Sequence, residues 1–132
     1  MANGTEIYFN KVAFAGKLWD YSIIALSNNG EFSEFRVYDS LDDYSNERKE
    51  AKEIYDSYKE VLDKKYSSSK YPTERKEDDG ISSLYVGRNG VGMELYNRRS
   101  RSKGGTYRRF VGMEYSHMGI LNRNQQAKES DL

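Results

Sequence analysis

Six basic side chains fall between residues 98 and 109 with no acid among them: Arg98, Arg99, Arg101, Lys103, Arg108 and Arg109. Aromatic residues interleave with this run and flank it, as Tyr85, Tyr96, Tyr107, Phe110 and Tyr115, and Arg88 and Asn89 stand just upstream. A guanidinium is a planar fork of donors that fits two oxygens of a phosphate or carboxylate at once. An aromatic ring is a face on which a base stacks. Together they suit a ligand that carries a flat base and a phosphate. Arg88, Asn89, Arg98, Arg108 and Arg109 are the expected phosphate or ribose contacts, with Tyr107 or Phe110 as the stacking surface. Arg36 is a further candidate, because its neighbours are apolar or acidic. The plain alternative is a solvated basic loop between two strands, with Tyr present because it favours strands. Alternation along a strand places Arg108 and Phe110 on one face and Tyr107, Arg109 and Val111 on the other. They cannot all face one pocket unless a bulge intervenes. Replacing Arg108 and Arg109 by Ala is expected to weaken ligand binding and to leave stability within the scatter of surface substitutions.

Other chemistry finds little support. The stretch Gly87-Arg-Asn-Gly90-Val-Gly92 lacks the G-x-G-x-x-G spacing and precedes a strand rather than a helix, so neither dinucleotide nor P-loop binding is expected. Backbone amides of such a turn can still approach a phosphate closely. The chain has no Cys, which removes disulfides, thiol catalysis and cysteine zinc sites. The single His, His117, has no evident orienting partner for general base work. Glu94 and Glu114 could face each other across strands, which matters only in a cleft. The run Glu77-Asp78-Asp79 lacks the spacing of an EF-hand and reads as solvated charge. No feature requires an enzyme, a metal or a cofactor.

These residues must be positioned by a chain of 132 residues, which is the size of one domain, 1–132. Charge is unevenly spread along it. Residues 1–80 hold 12 basic against 17 acidic residues, and 81–132 hold 9 against 4. The neutral total and a pI near 6.6 argue against a dedicated nucleic-acid module. No apolar run approaches the roughly 18 residues of a membrane span. The opening Met-Ala-Asn-Gly-Thr-Glu carries neither a basic start nor an apolar stretch. A cytoplasmic location without membrane contact is the expectation.

The hydropathy pattern predicts an α+β fold built on an antiparallel sheet. An N-terminal three-stranded meander comprises 6–14, 18–27 and 31–39. Period two places Trp19, Tyr21, Ile23 and Ala25 on one face of the second strand. Asn28-Asn29-Gly30 predicts a tight hairpin with φ > 0 at both turn positions. Residues 41–66 take a helical period through Ala51, Ile54, Tyr58, Val61 and Lys65, widened by Tyr55 and Leu62. Ser45 or a preceding Asp should cap it, and its stripe should pack on the meander or on a second copy of the helix. Residues 67–80 read as a polar linker or mobile loop. Strand hairpins follow over 81–87, 91–97 and 106–116, and 123–132 is a polar, frayed tail. Val91-Gly92-Met93-Glu94 recurs as Val111-Gly112-Met113-Glu114. Two neighbouring strands with matched kinks would account for the echo.

In size, element order and the Arg, aromatic and Asn content of residues 81–123, the chain resembles the phage Thoeris anti-defence family. Phage inhibitors of CRISPR nucleases have a similar general look. The resemblance implies an oligomeric sponge in the host cytoplasm that sequesters a cyclic ADP-ribose-type signal without degrading it. It carries no site residue over. The function expected is therefore non-catalytic binding of a small phosphorylated, nucleotide-like ligand by a homo-oligomer. The alternatives are an inhibitor or adaptor that contacts a host protein, and nucleic-acid binding through residues 98–109.

Overall fold

The alternating runs do form strands. The computed structural model describes residues 4–66, 73–77, 80–86, 91–101 and 104–117. In chain order the elements are β1 (Thr5–Phe14), β2 (Lys17–Leu26), β3 (Phe32–Asp42), α1 (Ser45–Lys65), β4 (Thr73–Glu77), β5 (Gly80–Val86), β6 (Val91–Arg101) and β7 (Tyr107–His117). All seven strands join one antiparallel sheet in the order β1-β2-β3-β7-β6-β5-β4. The fold is thus α+β, with a meander at each end of the sheet. Among the described residues no helix is long and apolar enough to cross a membrane.

The helix packs on β7, β6 and β3. Its stripe was expected on the meander, and only β3 of the meander takes a substantial share. Ala51, Tyr55 and Leu62 are its buried positions, while Val61 lies on the exposed flank. Against them sit Val37, Val111, Met113, Leu95, Met93 and Tyr85, all nearly or fully removed from water. Each such side chain contributes roughly 1.5–3 kcal/mol through burial. Two phenols reach sheet groups: Tyr55 Oη and Ser83 Oγ lie 2.7 Å apart, and Tyr58 Oη donates to Ala15 O at 2.8 Å. Tyr85 Oη donates to Asp63 on the helix at 2.7 Å.

Trp19 and Tyr21 do not share a face. Trp19 is fully buried on the helix side, beside Tyr58 and with its indole N–H on Phe14 O at 3.0 Å. Tyr21 lies on the opposite side against Tyr38. The alternation breaks at the Lys11–Asp20 step, where Lys11 takes a left-handed φ of 55° and Asp20 drops out of the ladder. Asp20 instead accepts Ser40 N–H at 3.3 Å and pairs with Lys11 at 3.0 Å.

The turns also differ from the sequence reading. In Asn28-Asn29-Gly30 only Gly30 has positive φ, 77°. Gly30 N–H donates to Ser27 O, so this is a three-residue loop closed by a left-handed glycine. The two-residue turn with both φ positive falls at Ala15 (φ 51°) and Gly16 (φ 78°), between the paired Phe14 and Lys17. A left-handed Ala costs about 1 kcal/mol. Ala15→Asn is therefore expected to raise stability by roughly 0.5–1 kcal/mol, read as a higher midpoint in a urea titration with unchanged slope.

Three further expectations are revised. Residues 73–77, placed in a polar linker, form β4, an edge strand held by backbone pairing with β5. The basic loop is mostly strand, since β6 runs on to Arg101 and β7 begins at Tyr107. The helix has no side-chain cap: Tyr44 occupies that position in extended conformation, and Asp43 is engaged elsewhere. Residues 67–72 and 78–79 and the tail 123–132 lie outside the described residues, and Gly80 opens β5. The repeated Val-Gly-Met-Glu segments lie on neighbouring strands, as anticipated, with Glu94 directly opposite Glu114.

Candidate functional site

The β6–β7 register runs without a shift from Val91 opposite His117 to Arg101 opposite Tyr107. With no bulge there, strict alternation divides the arginines between the two faces of the sheet. Arg99, Arg101, Tyr107 and Arg109 fall on the face that carries α1. Arg36, Arg98, Arg108 and Phe110 fall on the other. The expected cluster is therefore two clusters. Arg88 and Asn89 lie outside the described residues.

On the face away from the helix, each basic candidate is occupied. Arg36 pairs with Glu34 at 2.8 Å and with Glu114 at 3.5 Å. Arg108 reaches Asp42 at 2.8 Å and Ser40 Oγ at 2.8 Å. Arg98 lies 4.3 Å from the centre of the Tyr96 ring and 3.9 Å from Glu94. Phe110 packs edge-on against Tyr38. Tyr96 is 3% exposed despite facing away from the helix, and burial pushes its phenol up to about 12. A cleft of about 180 Å³ beside it is lined by Arg75, Arg98, Glu77 and Glu94 among others. Two cations against two carboxylates give an anion no net attraction.

The helix face differs. A cleft of about 230 Å³ opens between the start of α1 and the paired ends of β6 and β7, lined by Asp42, Asp43, Tyr44, Arg48, Arg99 and Tyr107 among others, with Arg101 just beyond it over the Tyr107 ring. Arg109 holds Asp43, one of the lining residues. Its Nε donates to Asp43 at 3.0 Å, and another guanidinium nitrogen donates to Asn97 Oδ1 at 3.0 Å. Arg48 makes two bonds to the same Asp43, at 2.9 and 3.1 Å. Hydrogen bonding by Arg48, and then by Arg109, holds the Asp43 carboxyl below the usual carboxylate range against the opposing effect of burial. Asp43 is thereby neutralised twice over.

Arg99 and Arg101 have no such partner. Arg99 lies 4.3 Å and Arg101 5.7 Å from the centre of the Tyr107 ring, and neither meets a carboxylate among the described residues. Tyr107 itself remains 42% exposed. The uncapped N–H groups at the start of α1 add the positive end of a helix dipole. Around this cleft Arg48 and Arg109 are paired with Asp43, and Asp42 is paired with Arg108 of the opposite face, which leaves Arg99 and Arg101 as the cations without a carboxylate partner among the described residues. Ligand pockets commonly measure about 300–1,000 Å³, so this cleft is smaller than most.

Of the candidates named from sequence, Tyr107 is in the cleft and Arg109 braces it. Arg48 and Arg99 line the cleft and Arg101 lies over the Tyr107 ring, and none of the three is among the candidates named from sequence. Arg99 and Arg101 were visible in the basic run, and their same-side spacing with Tyr107 follows from pairing across a hairpin. Arg48 carried no signal. Among the described residues no group of three or more His, Asp or Glu is placed to hold a metal ion. The chain matches no family model, no curated protein and no solved structure.

Proposed function

We propose that this chain binds a small phosphorylated, ring-bearing ligand of nucleotide type and holds it without transforming it. The observation that supports the reading is the Arg99–Arg101–Tyr107 arrangement: two guanidiniums without carboxylate partners, stacked on a half-exposed ring beside a helix N-terminus. Arg99 and Arg101 take the phosphate and Tyr107 stacks the ring. Sequestration of a cyclic ADP-ribose-type signal, as the anti-defence resemblance implies, is the specific form of this proposal. Nucleic-acid binding is less favoured, because the arginines divide between opposite faces and form no continuous stripe.

The test is a thermal-shift series with cyclic ADP-ribose isomers, cyclic di- and trinucleotides and a short single-stranded oligonucleotide at fixed salt. A ligand at a hundred times its dissociation constant stabilises the fold by about 2.7 kcal/mol. Arg99→Ala is expected to weaken binding at least about tenfold, the loss of one charge-assisted contact, with the ligand-free melting temperature unchanged. Recovery of intact ligand after denaturation separates holding from turnover. No shift with any small molecule, or a shift that Arg99→Ala leaves intact, overturns the reading.

A further inference from the structure

The two edges of the sheet are built differently. The β4 edge reads Thr-Glu-Arg-Lys-Glu over residues 73–77, so four of its five side chains are charged. Charged side chains are a common way to keep a sheet edge from pairing with another chain. The β1 edge is the opposite. From Thr5 to Asn10 it carries no Lys, Arg or Pro, and Glu6 is its one charge. Its helix-side face is apolar at Ile7 and Phe9, and its other face carries Tyr8 between Glu6 and Asn10. Ile7 (40% exposed) and Phe9 (44%) lie on the helix side, beyond the strands that α1 covers, and Tyr8 (66%) lies on the other. The ladder-compatible stretch ends at Lys11, whose left-handed backbone turns the strand.

We infer that β1 is a self-association edge, and that two copies of this chain pair their β1 strands antiparallel about a two-fold axis at Tyr8. Pairing that keeps each sheet face continuous must match residues of like parity. With Tyr8 opposite Tyr8, Ile7 of each copy meets Phe9 of the other on one face. On the other face Glu6 meets Asn10, a carboxylate against an amide. No like charges are opposed. A shift by two residues sets Phe9 against Thr5 in one direction and Ile7 against the Lys11 cation in the other. The register centred on Tyr8 alone matches every apolar side chain with an apolar one. Its product is a continuous fourteen-stranded sheet whose two outer edges are both the charged β4. This surface is far from the Arg99–Tyr107 cleft in sheet order, so it stands or falls without the ligand reading.

The test uses the full chain without ligand. Light scattering after size exclusion is expected to give about twice the 15.3 kDa chain mass. Tyr8→Lys and Tyr8→Glu each place like charges opposite on the axis, and each alone is expected to run as a monomer. Mixed in equal amounts they are expected to recover the dimer, which also shows that both variants fold. The chain has no cysteine. Tyr8→Cys is therefore expected to form an intermolecular disulfide under mild oxidation, because opposed Cβ atoms in such a pair come within about 4.5–5.5 Å. Lys76→Cys on the other edge is expected to remain uncrosslinked. A wild-type mass of one chain at millimolar concentration, dimers in both charged variants, or no recovery on mixing would each overturn the inference.

Discussion

Gly112→Ala is expected to lower the melting temperature by about 10 °C or more. Gly112 lies midway along β7, the central strand of the sheet, with Tyr38 opposite it on β3 and Tyr96 opposite it on β6. A Cβ added there would lie 2.2 Å from Val37 O and 2.6 Å from Tyr38 Cβ. The first of these is backbone of a neighbouring strand and cannot rotate away. β3 and β7 would have to separate, at the seam over which α1 packs. Overpacking of a well-filled site costs about 1–3 kcal/mol, and a backbone clash in the central strand belongs at the top of that range. For a domain of this size roughly 3 kcal/mol corresponds to about 10 °C. Differential scanning calorimetry reads the shift directly. A variant that melts with the wild type would show that β3 and β7 do not approach as closely as described.

Arg109→Ala is expected to cost about 2–3 kcal/mol. The side chain is 15% exposed and joins three elements: β7, Asp43 before the helix, and Asn97 on β6. Its removal leaves the buried Asn97 amide oxygen without its donor and Asp43 with Arg48 alone. An unsatisfied buried polar group costs about 1–3 kcal/mol. This reverses the expectation that both arginines of the 108–109 pair are dispensable for stability. Arg108, half-exposed on the opposite face, should come closer to that expectation. Arg109→Lys is expected to recover little, since an ammonium cannot span both acceptors in the plane of a fork. The same cluster sets a pH dependence. Asp43 titrates below its ordinary value in the folded chain. Its contribution is therefore complete above about pH 4, the ordinary carboxylate value, and is lost as pH falls through the lowered folded value. Asp43→Asn is expected to flatten that acid limb in a series of urea midpoints against pH. An unchanged limb would place the acid sensitivity elsewhere.

The N-terminal meander was legible because its strands are short apolar-rich runs separated by glycine turns, with buried positions on β2 and β3. The places where it misled are local. Trp19 and Tyr21 stand two residues apart in a clean period, and nothing in their types announces that Lys11, on the partner strand, turns left-handed between them. β4 was illegible for a different reason. An edge strand whose exposed side chains are all charged has no hydrophobic period, and its pairing with β5 is backbone chemistry that side-chain types do not report. The site was half legible. The arginine-rich run and Tyr107 could be read, and parity correctly warned that the run would split. Which half is free could not be read, because the neutralising partners are remote: Asp43 for Arg109, Asp42 for Arg108, Glu34 and Glu114 for Arg36.

The sheet order has a consequence for how the chain assembles. The strand at the centre of the sheet, β7, is the last of the seven in sequence. Residues 34–42 of β3 wait for residues 108–116 to complete their second ladder. Until then the molecule is two separate ribbons, one of three strands and one of three, each with an open side. Helix α1, made between them, has most of its binding surface on β6 and β7 and little to dock on. Contacts this distant along the chain slow folding, because the loop that they close must be ordered first. During synthesis the N-terminal ribbon therefore offers bare strand edges for the time needed to translate the rest. The step that buries the inner edge is the insertion of one strand between two ribbons already formed.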